Sequence, residues 1–114
     1  MITIRCTIDP KLHAHASGHW RTKTAATKAA REIGKLLAMG QPKITGPAIL
    51  DIKFTVPNRR RRDICNMVQS MKPYIDGVVD AGGIEGDHWE VLSVGSITVV
   101  LGDRLEAELI FREN

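Results

Sequence analysis

The sequence predicts an α+β fold in which two main helices pack on a small mixed sheet. Strict alternation of apolar and polar residues predicts half-buried strands at residues 2–8, 48–56 and 104–112. Between them, apolar residues recur at helical spacing over residues 22–39 and again after residue 63. The expected order is β-α-β-α-β-β. Because two helices cannot cover both faces of a sheet, one face is expected to be exposed or covered in a dimer.

Each predicted strand has a row of side chains that should face the core. The inward rows are Ile2, Ile4, Cys6 and Ile8; Leu50, Ile52, Phe54 and Val56; and Leu105, Ala107, Leu109 and Phe111. The continuous apolar run Ile97–Leu101 predicts a buried central strand. Gly102-Asp103 predicts a two-residue hairpin turn after it, and Trp89–Val94 is a candidate for one further short strand.

The two predicted helices have apolar stripes that should face the sheet. The stripes are Ala25, Ala26, Ala29, Ile33, Leu36 and Leu37 in the first helix, and Ile64, Met67, Val68, Met71, Ile75 and Val78 in the second. Pro73 predicts a kink or break near Lys72, because proline lacks an N–H group and clashes with the preceding turn. Ala81-Gly82-Gly83 is expected to end the second helix.

Length and composition indicate one domain spanning residues 1–114. No apolar run is long enough to span a membrane, and the first residues lack the apolar core of a signal peptide. With only two cysteines, a disulfide framework is not expected, so we expect a soluble cytoplasmic protein.

Charge is divided unequally along the chain. Residues 1–62 carry 13 basic and 3 acidic side chains, whereas residues 63–114 carry 3 basic and 10 acidic ones. A basic half suits a polyanion, and an acidic half can hold the cations that a reaction on it needs. The alternative is chance clustering on a solvated surface.

The segment from Arg59 to Asp87 carries the chemically informative residues. Four consecutive arginines, Arg59, Arg60, Arg61 and Arg62, suit phosphate oxygens. Asp63 follows at a helix start, and Asp87 lies 24 residues later in a glycine-rich loop that can fold back toward it. Converging carboxylates bind magnesium, which can activate water at a phosphodiester. Asp63 could instead only cap the helix.

Three other acidic residues lie within this segment. Glu85 is close enough to Asp87 to assist in binding a metal. Asp76 and Asp80 lie too far along the helix to share a small site with Asp63, so we expect them to face solvent.

A loop over residues 11–21 precedes the first helix. His13, His15 and His19 match no common structural zinc spacing. The more natural roles for this loop are nucleic-acid contact or local packing, and Trp20 could stack on a base or act as a packing anchor. Arg21 and Lys23 are candidate DNA-binding residues, although the basic side chains of the first helix could form an ordinary solvated face.

Three sequence segments together resemble the RusA family of Holliday-junction resolvases. They are Arg-Asp-Ile-Cys-Asn at 62–66, Lys-Pro-Tyr-Ile-Asp-Gly with Ala-Gly-Gly-Ile-Glu-Gly-Asp-His-Trp at 72–89, and Leu-His-Ala-His-Ala-Ser-Gly-His-Trp-Arg-Thr-Lys at 12–23. With the final predicted strands, the resemblance covers nearly the whole chain. It implies an α+β homodimer that binds four-way DNA junctions and cuts them with magnesium or manganese.

The resemblance also implies roles for individual residues. Asp63 and Asp87 match the metal ligands of the family, and Lys72 matches its lysine best, with Gln69 as the alternative. Lys72 would neutralise or position the phosphate, while the four arginines would hold the DNA backbone.

Two positions depart from the family pattern. Cys65 replaces the second motif acid, and Gly86 replaces one of the downstream pair. A thiol is a soft, poor ligand for magnesium, so the metal should be held more weakly, and Glu85 or His88 could partly compensate. The alternatives are a junction-binding protein with weak or lost cleavage, and a zinc- or thiol-based protein, although a catalytic cysteine would need a histidine partner.

Overall fold

A computed structural model describes the backbone of residues 1–8 and 20–114, and the side chains of residues 1–8 and 24–114. The elements in chain order are β1 (Ile2–Thr7), α1 (Trp20–Ala38), β2 (Ala48–Val56), α2 (Ile64–Gln69), α3 (Lys72–Asp80), β3 (Leu92–Leu101) and β4 (Glu106–Glu113). The predicted β-α-β-α-β-β order is confirmed, with the second helix divided into two pieces.

The four strands form one mixed sheet in the order β1-β4-β2-β3. β4 runs antiparallel to both β1 and β2, and β3 runs parallel to β2. The predicted α+β class and mixed sheet are therefore confirmed. The last strand of the chain lies inside the sheet, where it joins the first strand to the rest.

The core lies between one face of this sheet and the helices. The inward rows predicted for β1, β2 and β4 are buried, with Ile8 and Leu105 half-buried at the ends. Burial raises the pKa of the Cys6 thiol to about 12, as expected of a small core residue. The opposite face is charged and carries the ion pairs Arg5–Glu108 and Arg112–Asp51.

The predicted position of β3 was wrong. Its residues lie at the edge of the sheet and are largely exposed, including the run expected to be buried. The predicted hairpin was also wrong, because β2 lies between β3 and β4. A continuous apolar run predicts burial only where neighbouring elements cover it, and sequence periodicity does not reveal those neighbours. Residues 89–91 form a turn, so Trp89–Val94 contributes only the start of β3.

The stripe predicted for α1 was also wrong. Ala30, Gly34 and Ala38 are buried, whereas Leu36 and Leu37 are exposed. The cause is the close approach of α3: a β-carbon at Gly34 would collide with the backbone oxygen of Tyr74. Small residues permit this spacing, so α1 packs through alanine and glycine rather than through its largest apolar side chains.

The second helix breaks where Pro73 predicted a break. α2 ends at Gln69, and α3 begins at Lys72 with the proline in its first turn. A proline is tolerated there because the first N–H groups of a helix have no partner inside the helix. The break places Lys72 at the start of a new helix rather than in the middle of a long one.

Candidate functional site

The loop between β2 and α2 contains the four arginines, and residues 59–62 are called the arginine loop below. Arg62 folds back on this loop: its guanidinium donates to the backbone oxygens of Asn58 at 3.1 Å and Arg60 at 3.0 Å, and to Asn58 Oδ1 at 3.1 Å. In the part of the chain that the structure describes, the exposed Arg59 and Arg61 side chains have no such partner. Arg62 therefore shapes the loop, while Arg59 and Arg61 remain available to an anion.

A cleft of about 330 Å³ lies beside the arginine loop. Its polar wall comes from the loop, and its apolar wall comes from β2, α2 and the end of β3. The lining residues are Val56, Asn58, Arg59, Arg60, Arg62, Ile64, Met67, Val99, Val100 and Leu101. Forked guanidinium groups above an apolar floor suit a ligand with both phosphate and less polar parts.

Asp63 is the N-cap residue of α2. Its Oδ1 accepts hydrogen bonds from the backbone N–H groups of Cys65 at 2.9 Å and Asn66 at 3.2 Å. Aspartate is favoured there because the first N–H groups of a helix lack partners. Both bonds use Oδ1, which leaves Oδ2 free of hydrogen bonds within the described residues. The capping role is thus observed, and one carboxylate oxygen remains for another ligand.

Lys72 brings two carboxylates together. Its ammonium Nζ lies 2.6 Å from Asp76 Oδ1 and also contacts Asp87 Oδ2. The hydrogen bond from Lys72 holds the pKa of Asp87 below its ordinary value. Partial burial lowers the pKa of Lys72, but hydrogen bonds to the two carboxylates outweigh it and raise that pKa overall. Two carboxylate side chains therefore share one ammonium group.

The expectation that Asp76 faces solvent was wrong. Asp76 is half-buried, one helical turn after Lys72, and it contacts the Lys72 ammonium. Sequence reasoning compared Asp76 only with Asp63, although the four-residue spacing between Lys72 and Asp76 is itself a signal for contact. Asp80 is exposed as predicted, and Arg31 binds it through two nitrogens at 2.6 and 2.9 Å.

The loop after α3 carries the remaining acidic candidates. Glu85 is exposed, and its Oε1 accepts a hydrogen bond from the backbone N–H of Gly46 at 3.0 Å. Gly86 is buried, and a β-carbon there would lie 3.3 Å from the His88 ring and 3.4 Å from Val91. An acidic side chain at position 86 would therefore require the His88 ring to shift.

Cys65 is exposed in the first turn of α2, beside a groove lined by Ile64, Val68, Gln69 and Ile97. Within residues 1–8 and 24–114, no group of three or more His, Cys, Asp or Glu side chains is arranged to hold a metal. Asp63, Asp87 and Glu85 therefore do not converge as a three-carboxylate group. His13, His15 and His19, and the side chains of Trp20, Arg21 and Lys23, lie outside the described residues.

The carboxylates around Lys72 are of the type that binds a small hard cation. Asp76 and Asp87 already place two carboxylate oxygens around a single positive charge. Oxygen ligands of this type are the ones that magnesium binds, usually with several waters retained. Asp87 is thus the predicted ligand whose surroundings favour a cation, with Asp76 as a neighbour that the sequence prediction left out.

No protein-family model matches the chain. The chain is 35% identical over 81 residues to an uncharacterized protein of Xylella fastidiosa (strain Temecula1). The match covers 65% of this chain and 52% of that relative, so the chain spans about half the length of the protein it resembles. None of the helices in the described residues is long and apolar enough to cross a membrane.

Proposed function

We propose that the protein is a metal-dependent, structure-selective endonuclease that cuts four-way DNA junctions in recombination and repair, as a homodimer in the cytoplasm. The observation that carries the proposal is the contact between Lys72 and Asp87, two residues that the RusA resemblance assigns to one catalytic site. The arginine loop beside the cleft provides a surface suited to a phosphate backbone.

Each part of the site has a distinct task in this proposal. Asp87 would bind magnesium or manganese. Asp63 Oδ2 and Glu85 are the further ligands that the sequence and the resemblance suggest, although the three carboxylates do not form a metal-holding group in the described residues. A bound metal would supply an activated water and would stabilise the leaving oxygen. Lys72 would leave its ion pair with Asp87 and contact the scissile phosphate instead. Asp76 would hold the Lys72 ammonium within reach of both Asp87 and the phosphate. Arg59, Arg60 and Arg61 would hold the DNA backbone, and Arg62 would keep their loop in shape.

The second candidate is a dimeric protein that binds branched DNA and cuts it weakly or not at all. The observation that favours it is the low number of carboxylates: Cys65 and Gly86 stand at two positions where the resemblance implies acids. An acid at position 86 would also need the His88 ring to move by a few tenths of an ångström. In this case the arginine loop keeps its task, while the carboxylates only position Lys72.

Cleavage of a labelled four-way junction with magnesium or manganese tests the proposal, with Asp87→Asn as the comparison. Cutting by the wild type that Asp87→Asn abolishes is the expected result. Binding is measured separately in calcium, which takes the same oxygen ligands. Binding without cutting by the wild type would favour the second candidate, and absence of junction binding would overturn both.

A further inference from the structure

The indole of Trp89 stands in solvent. Trp89 is 85% exposed, more than any other large apolar residue in the described part of the chain. The most exposed one within a helix or strand, Leu36 of α1, is 57% exposed. Tryptophan is the largest apolar side chain and is usually packed over most of its surface. An indole left in water in this way indicates a surface that a ligand covers on binding.

The turn that carries Trp89 is held by hydrogen bonds on its far side and by packing on its near side. The N–H groups of Val91 and Leu92 both donate to the backbone oxygen of His88 at 3.0 Å, and the Ala48 N–H donates to the Val91 oxygen at 2.8 Å. On the near side, the His88 ring lies against the buried Gly86. The exposure of Trp89 is therefore a property of an anchored turn.

Trp89 follows Asp87 by two residues. Consecutive Cα atoms are about 3.8 Å apart, so the Cα atoms of Asp87 and Trp89 lie within about 8 Å of each other. Asp87 contacts the Lys72 ammonium, and the proposed chemistry depends on these two residues. An indole in this place can reach the nucleotide next to the phosphate that is cut.

The arginine loop lies at the other end of β2. Ala48 at the start of β2 pairs with Leu92, which closely follows Trp89, whereas Val56, which leads into the arginine loop, pairs with Leu101. The nine residues of β2 separate its two ends by roughly 26 Å, at about 3.3 Å per residue. Trp89 therefore contacts a different part of a bound DNA from the arginines.

The charge around Trp89 selects the part of the DNA that it can contact. Residues 84–91 contain no Lys or Arg, and Glu85, Asp87 and Glu90 are exposed there. Three carboxylates repel a phosphate backbone unless a cation lies between them. A nucleobase, by contrast, offers an uncharged π-face to the indole. We infer that Trp89 stacks on an unpaired nucleobase beside the phosphate that is cut.

This inference rests on the proposed function and adds a feature of its substrate. Stacking needs a base that has left its own helix, so Trp89 favours DNA with an opened base at the branch point over intact duplex. Because every base has a π-face, the contact selects no particular base. The arginine loop then supplies the salt-dependent part of the affinity, and Trp89 supplies a part that does not depend on salt.

Fluorescence anisotropy in calcium, at several salt concentrations, tests the inference with two labelled probes: a four-way junction and an intact duplex with the sequence of one arm. Trp89→Ala is expected to lower the affinity for the junction by about tenfold or more. The slope of log affinity against log salt should stay the same, because no phosphate contact is lost. The affinity for the duplex should not change. Trp89→Phe should keep most of the junction affinity, since a phenyl ring still stacks.

Leu36→Ala is the matched control, because it removes another exposed apolar side chain, on α1. It should bind the junction like the wild type. Urea unfolding checks that the variants fold, as expected for exposed positions. Sedimentation velocity without DNA should give Trp89→Ala the same mass as the wild type, since a changed mass would assign Trp89 to a contact between protein chains.

Equal junction affinities for Trp89→Ala and the wild type, an equal loss of affinity for the duplex, or a changed mass without DNA would overturn the inference. Cleavage is assayed separately. A protein that binds junctions through Trp89 but never cuts them rejects only the nuclease. One that binds and cuts them equally well without the indole rejects only the stacking contact, and a wild type that binds no junction overturns both.

Discussion

Lys72 and Asp87 lie fifteen positions apart in the chain and form an ion pair. The pair exists because Pro73 ends one helix and begins another at Lys72, and because the glycine-rich loop after α3 returns to that end. Both side chains keep substantial exposure, at 55% and 41%. An ion pair this exposed adds little to stability.

Replacing Lys72 by methionine should separate chemistry from folding. We expect Lys72→Met to lower junction cleavage by about 10²-fold or more, because an ammonium held beside the scissile phosphate stabilises developing negative charge. The free energy of unfolding should change by less than about 1 kcal/mol, as for other exposed pairs. Single-turnover cleavage and urea unfolding measure the two effects.

Lys53→Met is the matched control, because Lys53 is exposed on the sheet face that points away from the helices. It should cut junctions like the wild type. Equal cleavage by the Lys72 and Lys53 variants would remove Lys72 from the catalytic site and leave Gln69 as the residue to test.

The Lys72–Asp87 pair also predicts a pH dependence of stability. The pKa of Asp87 is lowered in the folded protein, so its contribution is present above the unfolded value of about 3.9 and lost as pH falls through the folded value. The small stability difference between wild type and Lys72→Met should therefore shrink below about pH 4. Urea unfolding of both proteins at pH 7 and pH 3 measures this, and a difference that grows on acidification would contradict the pairing.

Much of the fold could be predicted from local patterns. The alternation in β2 gave its bounds and inward row, and Pro73 gave the break between the two helix pieces. The position of β3 and the buried side of α1 could not be predicted in this way. The first depends on which strand lies at the edge, and the second on the contact between Gly34 and α3, and both are set by tertiary packing rather than by periodicity.

The site divides in the same way. Residue types and order singled out the arginine loop, Asp63 and Asp87 as candidates, and their functional roles stay predictions. The contact of Asp76 with Lys72 follows from their four-residue spacing on one helix, whereas the return of the Asp87 loop to the same ammonium is set by tertiary packing, which no local pattern records.

The arginine loop predicts two different effects of removing an arginine. Arg61→Ala should weaken junction binding and lower the slope of log affinity against log salt by about 1, because one phosphate contact is lost. Arg62→Ala should weaken binding further, since Arg62 also ties the loop to Asn58. Fluorescence anisotropy in calcium at several salt concentrations measures both.

Arg5→Ala is the control for this series, because Arg5 is paired with Glu108 on the charged sheet face. Its salt slope should match that of the wild type. Identical slopes for all the variants would mean that the DNA backbone lies elsewhere on the protein.

Replacing Cys65 by aspartate should increase cleavage. The side chain is exposed in the first turn of α2, where a negative charge is favourable to the helix, so the fold should tolerate it. A second carboxylate near Asp63 should hold magnesium more tightly and raise the rate by about tenfold or more at limiting metal. Cys65→Ser, which adds no charge, should leave the metal dependence unchanged. An unchanged rate for Cys65→Asp in an active enzyme would mean that Cys65 does not occupy the motif position.

The contact between α1 and α3 predicts the most damaging small substitution in the described residues. A β-carbon at Gly77 would collide with the backbone oxygen of Arg31 and approach the Lys35 nitrogen at 2.6 Å. Because backbone atoms cannot rotate away, Gly77→Ala should destabilise the protein by about 2–3 kcal/mol, despite the better helix propensity of alanine. Ala29→Ser lies on the exposed side of α1. It should change the free energy of unfolding by only a few tenths of the amount expected for Gly77→Ala. Urea unfolding measures both, and a neutral Gly77→Ala would show that α1 and α3 lie farther apart than this packing requires.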